Sequence, residues 1–115
     1  MRALVTGGSG FLGSHVADAA AARGLDVRLL DLRPSDCAPA GAEQVMADVR
    51  DADAVAAAAA GCDVVFHLAA VADLGEASAD PDRAAAVNVE GTRAVLDAAR
   101  RQGVRRLVHA SSIYV

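Results

Sequence analysis

A glycine-rich segment near the amino terminus, Thr6-Gly7-Gly8-Ser9-Gly10-Phe11-Leu12-Gly13, constrains the fold of this chain more than any other feature. The pattern T-G-x-x-G-x-x-G follows a short apolar run and opens an amphipathic segment, so it predicts a turn between a buried strand and a helix. Gly7 permits the tight turn, Gly10 lets backbone amides approach a diphosphate, and Gly13 lets the helix pack close to the sheet. The unpaired amides at the start of the helix favour an anionic group.

A glycine turn between a strand and a helix is common, so the pattern alone leaves an ordinary turn open. Asp31 adds a second observation, because it ends a β-rich run at 26–32, about 20 residues beyond the glycines. A carboxylate there accepts hydrogen bonds from the ribose hydroxyls of adenosine and repels a 2′-phosphate. NAD is therefore favoured over NADP, although Arg33 lies close enough to receive that phosphate and keeps NADP open.

Strand and helix patterns alternate along the whole chain. They predict a Rossmann-type, doubly wound parallel α/β sheet of order 3-2-1-4-5 with helices on both faces, truncated after the fifth strand. The strands are predicted at 2–6, 26–32, 43–49, 62–70 and 104–111; the helices at 11–23, from Asp51 to Gly61, and at 81–102; the loops at 33–42 and 71–80.

Two of the predicted helices have faces that can be assigned from hydrophobic spacing. In the first helix the inward face is predicted to hold Leu12, Val16, Ala19 and Ala20. In the second it is predicted to hold Ala52, Val55, Ala56 and Ala59.

Composition excludes several classes of protein. The chain of 115 residues has 54% hydrophobic residues, which predicts one globular domain, and its net charge of -4 argues against a nucleic-acid partner. No run has the length of a membrane span. Cys37 and Cys62 lack metal-ligand spacing, and the three histidines form no ligand pair, so no metal site is expected and a reduced, cytoplasmic setting fits best.

These motifs resemble the extended short-chain dehydrogenase/reductases, the group that holds nucleotide-sugar epimerases and dehydratases. The resemblance covers the whole chain. The family's acidic residue after the third strand, which contacts the adenine, matches Asp48 followed by Val49. Its fourth-strand motif matches His67-Leu68-Ala69-Ala70, where small residues let the cofactor lie against the strand end.

The family's helix motif Asn-x-x-Gly-Thr matches the stretch from Asn88 to Thr92. The resemblance gives Asn88 a role in supporting the cofactor site, on a helix face expected to turn towards the sheet, where its amide needs a partner. Together, the glycine loop, Asp31 and the family motifs predict these cofactor-binding residues: Gly7, Gly10, Phe11, Leu12, Gly13, Asp31, Leu32, Arg33, Asp48, Val49, Leu68, Ala69, Ala70 and Asn88.

In the family the fifth strand ends Ser-Ser-x-x-Val-Tyr-Gly, and this chain ends Ser111-Ser112-Ile113-Tyr114-Val115. The resemblance implies that Ser112 is the catalytic serine, which hydrogen-bonds the reacting oxygen while a Tyr-x-x-x-Lys motif supplies the acid or base. Tyr114 falls at a variable position of the strand motif. Since the chain contains no lysine, that pair is not assembled within it.

The expected function is the NAD-binding portion of an epimerase, dehydratase or reductase that acts on a nucleotide sugar or a similar hydroxyl substrate by hydride transfer. Residues 1–115 are expected to form an incomplete Rossmann domain without turnover of its own. A non-catalytic NAD(P)-binding sensor is the alternative. A homodimer through the helix at 81–102 is implied by the resemblance, and an open edge ending at 113–115 is a second route to association.

Overall fold

Five parallel strands form a single sheet at the centre of the molecule. The structure, a computed structural model, describes residues 1–113. The sheet has the order β3-β2-β1-β4-β5, and every neighbouring pair is parallel, which confirms the predicted topology. The strands are β1 (Arg2–Thr6), β2 (Asp26–Asp31), β3 (Glu43–Met46), β4 (Val64–His67) and β5 (Arg106–His109).

The register brings the carboxyl ends of the strands level with one another. Thr6 at the end of β1 is aligned with Leu30 on one side and with His67 on the other. Asp31 is aligned with Met46, the last residue of β3. In an open parallel sheet, ligands bind at this edge, at the topological switch point. Here the switch point lies at β1, because β2 and β3 are on one side of it and β4 and β5 on the other.

The helices are α1 (Phe11–Ala22), α2 (Ala52–Ala59), α3 (Leu74–Ala79), α4 (Pro81–Ala85) and α5 (Thr92–Arg101), with a π-helical segment at Ala86–Gly91 between the last two. Among these residues no helix is long and apolar enough to cross a membrane. Side chains cap three of the helices: Asp51 accepts from the N–H of Ala54, Asp73 from Glu76 and Asp80 from Arg83.

Several predicted elements differ from the structure. The segment 71–80, predicted as a loop, contains α3, which begins because Asp73 and Glu76 have the spacing of a helix-starting capping box. The helix predicted at 81–102 is interrupted by the π-helical segment, which changes the backbone hydrogen-bonding pattern without a break in the apolar spacing. The strands β3, β4 and β5 are also shorter than predicted.

The core has two layers, one on each face of the sheet. On one face Leu4, Leu30 and Val65 pack with Val55 of α2 and Val95 of α5. On the other face Ala3, Val5 and Leu29 pack with Ala17 and Ala20 of α1.

The predicted inward face of α1 is confirmed only in part: Ala20 is buried and Val16 is half-buried against the core, but the prediction is wrong for the other two residues. Leu12 is 54% exposed, Ala19 is also exposed, and the buried residues are Gly13, Ala17 and Ala20. A face of small residues lets α1 approach the glycine turn closely. The need for this close contact, and not the hydrophobicity of the side chains, determines which face of α1 turns inward. In α2, Val55 and Ala59 are buried as predicted, whereas Ala52 is exposed.

Candidate functional site

A groove of about 410 Å³ runs along the carboxyl ends of the strands. This volume lies within the range of small-molecule sites. Most of the predicted cofactor-binding residues line it: Gly7, Gly10, Asp31, Leu32, Arg33, Asp48, Val49, Leu68, Ala69 and Ala70. The groove is also lined by residues that the sequence did not single out: Leu30, Ala47, Val71, Glu76, Arg83 and Val87.

The glycine turn is shaped by backbone contacts that leave no room for side chains. Gly7 has a φ of +73°, its N–H donates to the carbonyl of Leu30 at 2.8 Å, and a Cβ there would lie 2.8 Å from the nitrogen of Ala69. A Cβ on Gly13 would lie 2.0 Å from the carbonyl oxygen of Gly7. Gly13 therefore sits behind the turn, where it brings α1 against the loop, and it does not line the groove.

Helix α1 points its amino-terminal end at the groove from Gly10, its N-cap residue. No side chain caps this end, and the first N–H groups of a helix have no partner within the helix. The side chains of Phe11 and Leu12 are exposed and do not line the groove. What these two residues offer is their backbone amides, which suit an anionic group such as a diphosphate.

Asp31 is held at the groove by two backbone N–H groups. Its carboxylate accepts from the N–H of Ser9 at 3.0 Å and from the N–H of Leu32 at 2.7 Å. The Ser9 hydroxyl donates to the carbonyl of Arg33 at 2.7 Å, which ties the segment after β2 to the glycine turn. The carboxylate is therefore fixed beside the turn, with further lone pairs able to accept from ribose hydroxyls.

Asp48 and Arg50 form an ion pair beside β3. The Nη2 atom of Arg50 lies 2.6 Å from the carboxylate of Asp48, and the backbone N–H of Arg50 donates to the same carboxylate at 2.8 Å. The Arg50 hydrogen bond lowers the pKa of Asp48, against a smaller opposing effect of burial. Asp48 is thus ionised and able to accept a hydrogen bond. Val49 is buried beneath it, where a Cβ on Gly91 would lie 2.7 Å from a Val49 methyl group.

Asn88 lies in the π-helical segment and binds one residue of the loop after β4. Its Oδ1 accepts from the N–H of Val71 at 2.8 Å, and its Nδ2 donates to the carbonyl of Val71 at 3.1 Å. Asn88 is exposed as a residue and lies outside the groove wall, but both polar atoms of its amide have the partner that the sequence called for. It acts through Val71, which is buried and lines the groove.

His67 is buried at the end of β4. Its Nδ1 lies 2.7 Å from the Thr6 hydroxyl and its Nε2 lies 2.8 Å from the Thr92 hydroxyl. Its ring stacks on that of His109 at 5.3 Å. Burial, with a smaller contribution from His109, lowers the pKa of His67 to about 4. The sequence predicted neither hydroxyl partner.

Ser112 is exposed in the segment after β5, at the same edge of the sheet as the groove. Tyr114 and Val115 lie outside the described residues. Among residues 1–113, no three His, Cys, Asp or Glu side chains are arranged to hold a metal ion. Cys37 and Cys62 have free thiols, and burial raises the pKa of Cys62.

A glycine turn, an uncapped helix start and a fixed carboxylate at this edge of a 3-2-1-4-5 sheet define a nucleotide-binding domain of the Rossmann type. The model of the NAD dependent epimerase/dehydratase family matches residues 3–115. The chain belongs to this family.

Relatives of this chain include several kinds of enzyme. A 3 beta-hydroxysteroid dehydrogenase/Delta 5-->4-isomerase of Mycobacterium tuberculosis is 44% identical over 96% of the chain. A short-chain dehydrogenase/reductase superfamily protein of Agrobacterium tumefaciens with bound NAD is 46% identical over 97% of the chain, with a TM-score of 0.86. UDP-glucose 4-epimerase of Thermus thermophilus in complex with NAD is 38% identical over 97%, with a TM-score of 0.89. The chain spans 31%, 33% and 38% of these proteins, respectively.

Proposed function

We propose that this chain is the NAD-binding portion of an epimerase, dehydratase or reductase that acts on a hydroxyl-bearing substrate. The observation that carries the proposal is the carboxylate of Asp31, fixed by the N–H of Ser9 beside the uncapped start of α1. The carboxylate suits the ribose, and the helix start suits the diphosphate. Residues 1–115 then correspond to the cofactor-binding domain, and the Tyr-x-x-x-Lys motif and a substrate lobe belong to the rest of the parent protein.

Each part of the groove has its own task in this proposal. Gly10 and the first amides of α1 hold the diphosphate, Asp31 accepts from the ribose, and the ionised Asp48 accepts from the amino group of adenine. The backbone at Ala69 and Ala70 forms the wall beside the nicotinamide half. NAD, when bound, supplies the nicotinamide ring that accepts and returns a hydride.

Ser112 is the catalytic residue of the proposal. Its place at the carboxyl end of the sheet, after β5, is consistent with a hydroxyl that hydrogen-bonds the reacting oxygen of the substrate. A nucleotide sugar is the proposed substrate class, supported by the structural likeness to UDP-glucose 4-epimerase. The likeness to a hydroxysteroid dehydrogenase favours a steroid alcohol as a second candidate. Both classes present an alcohol oxygen to the serine.

The experiment that tests the proposal measures binding and turnover separately. Calorimetric titration of the purified chain with NAD is expected to give a saturable binding heat. Incubation with NAD and UDP-glucose, or with a 3β-hydroxysteroid, is expected to give no sustained product, because the chain contains no lysine to complete the catalytic pair. Absence of any binding heat contradicts the NAD proposal, and sustained product formation contradicts the proposed lack of turnover.

We propose a cytoplasmic protein without a nucleic-acid or membrane partner, and the negative net charge supports the absence of a nucleic-acid partner. A homodimer is proposed through the face that includes α4 and α5. Sedimentation equilibrium at high concentration tests it, and a monomer under those conditions contradicts it.

A further inference from the structure

Arg83 lines the groove, and none of the proposed contacts with the cofactor involves it. It lies on α4, next to the buried Ala84, and is itself half-buried. Among residues 1–113, its guanidinium has no hydrogen-bond or ion-pair partner. Its backbone is paired within the helix, because the N–H donates to Asp80 and the carbonyl accepts from the N–H of Ala86. By contrast, the guanidinium groups of Arg28, Arg50 and Arg93 all have carboxylate partners. A half-buried cation without such a partner is suited to meet a ligand.

The position of Arg83 is defined by the apolar cluster beneath it. Ala84 packs in one cluster with Val49, Val71 and Val87, three groove-lining residues that form an apolar wall. The backbone of Arg83 therefore lies next to the part of the groove near the end of β3, where Asp48 is found. The electrostatics agree, because Arg83 contributes, after the larger effect of Arg50, to the lowered pKa of Asp48.

We propose that Arg83 contacts the adenine ring of the cofactor, with its planar guanidinium stacked on one face of the ring. The proposal rests on the proposed NAD function. An apolar wall with a carboxylate at its edge suits a flat ring that carries an amino group, and a guanidinium stacks on aromatic faces. The diphosphate has its own partners, the amides at Gly10 and the start of α1, and α1 packs on the opposite face of the sheet from Ala84.

The test compares variants of the whole chain by titration against NADH fluorescence, with adenosine and ADP as competitors. Arg83→Ala and Arg83→Met remove the guanidinium, and the methionine keeps an apolar stem against the wall. We expect both variants to bind NADH, ADP and adenosine about 3- to 30-fold more weakly than the parent chain. Arg83→Lys keeps a cation but lacks the stacking plane, so its affinity is expected to lie between those of the parent chain and Arg83→Met.

The matched control is Arg93→Ala, which removes an exposed arginine of α5 that pairs with Glu90 away from the groove. Its affinity for all three ligands is expected to equal that of the parent. Urea unfolding of each variant shows that it is folded, and Arg83→Met decides the question if Arg83→Ala does not fold.

The outcomes separate this proposal from the one on which it rests. A parent chain that does not bind NADH defeats both. A parent that binds, with Arg83→Met binding equally well, overturns the role of Arg83 alone. Weakened binding of ADP and NADH with unchanged binding of adenosine assigns Arg83 to the phosphates and overturns the adenine contact, as does full affinity in Arg83→Lys.

Discussion

The hydroxyl oxygen of Thr6 lies 2.7 Å from the Nδ1 atom of His67, and this hydrogen bond joins the ends of β1 and β4 beneath the groove. The same oxygen accepts from the N–H groups of Leu68 at 3.2 Å and Ala69 at 3.3 Å. Because the oxygen already accepts twice, its own proton points to Nδ1. His67 therefore carries its proton on Nε2, which donates to the hydroxyl of Thr92.

This arrangement predicts that the chain loses stability as the pH falls from about 6.5 to about 4. The pKa of His67 is lowered from 6.5 to about 4 by burial, so the unfolded chain takes up a proton that the folded chain resists. The contribution of His67 is complete above pH 6.5 and declines as the pH falls, by about 3 kcal/mol over the window. Urea unfolding at a series of pH values measures the decline.

The control for this prediction is His67→Gln, which keeps a polar side chain and removes the titration. Carboxylates titrate in the same window, so the informative quantity is the difference in free energy of unfolding between the parent and the variant. That difference is expected to shrink as the pH falls. A difference that stays constant from pH 6.5 to 4 contradicts the assigned role of His67.

Local patterns predicted the strand order of this chain, because the alternation of strands and helices and the positions of glycines can be read from short stretches of sequence. The partners of side chains cannot be read in this way. Thr92 is 25 residues from His67 along the chain, and no periodicity connects them. Arg28, on β2, likewise donates to the carbonyls of Ala58 at 2.6 Å and Ala60 at 3.0 Å, which satisfies the end of α2. Such contacts depend on how the helices pack against the sheet, and the spacing of residues along the sequence does not predict this packing.

In the candidate site, too, some residues could be predicted from the sequence and others could not. Asp31 was predicted because it lies at the end of a strand about 20 residues beyond the glycines, and Asp48 because it matches the acidic residue of the family motif. Arg83 was not predicted, since its approach to the groove depends on the position of α4 over Val49 and Val71. The rotation of α1 was mispredicted because hydrophobicity ranks Leu12 above Gly13, whereas a backbone contact requires the glycine to face inward.

Substitution of Asp31 is expected to change both the affinity for NAD and the preference over NADP. Asp31→Ala removes the carboxylate that would accept from the ribose, so NADH affinity is expected to fall about 10- to 100-fold. NADPH affinity is expected to fall less or to rise, because repulsion of the 2′-phosphate is removed while Arg33 remains. Fluorescence titration with both nucleotides measures the ratio of the two affinities.

Asp36→Ala is the matched control for Asp31, since it removes an exposed carboxylate from the loop that follows β2 and does not line the groove. Both affinities are expected to remain at the parent values in this control. An unchanged ratio of NADH to NADPH affinity in Asp31→Ala would show that Asp31 does not select between the two nucleotides.

A methyl group at Gly13 is expected to destabilise the fold severely. The added Cβ would meet the carbonyl oxygen of Gly7 at 2.0 Å, and neither backbone segment can move without opening the glycine turn. Overpacking of this kind costs about 3 kcal/mol or more. Gly24→Ala is the comparison: its φ is +79° and nothing lies within 4 Å, so only backbone strain of about 1 kcal/mol is expected. Urea unfolding gives the free energy of unfolding of both variants. A larger loss in Gly24→Ala than in the Gly13 variant would refute the close contact at Gly13.

The two hydrogen bonds between Asn88 and Val71 predict a local effect on the loop after β4. Asn88→Ala removes both bonds, so we expect the free energy of unfolding to fall by about 1 to 2 kcal/mol. The Val71 amide is expected to exchange with solvent at least about tenfold faster, since its acceptor is lost. Hydrogen exchange followed by NMR measures this rate at a single residue.

Two further variants separate the hydrogen bonds from general packing in the π-helical segment. Asn88→Asp retains an acceptor for the N–H of Val71 but places a carboxylate oxygen against the Val71 carbonyl, so its exchange rate is expected to lie between those of the parent and Asn88→Ala. Val89→Ala shortens the exposed neighbouring side chain and is expected to leave the rate unchanged. If Val71 exchanged equally fast in the parent chain and in Asn88→Ala, the asparagine would not be what holds this wall of the groove.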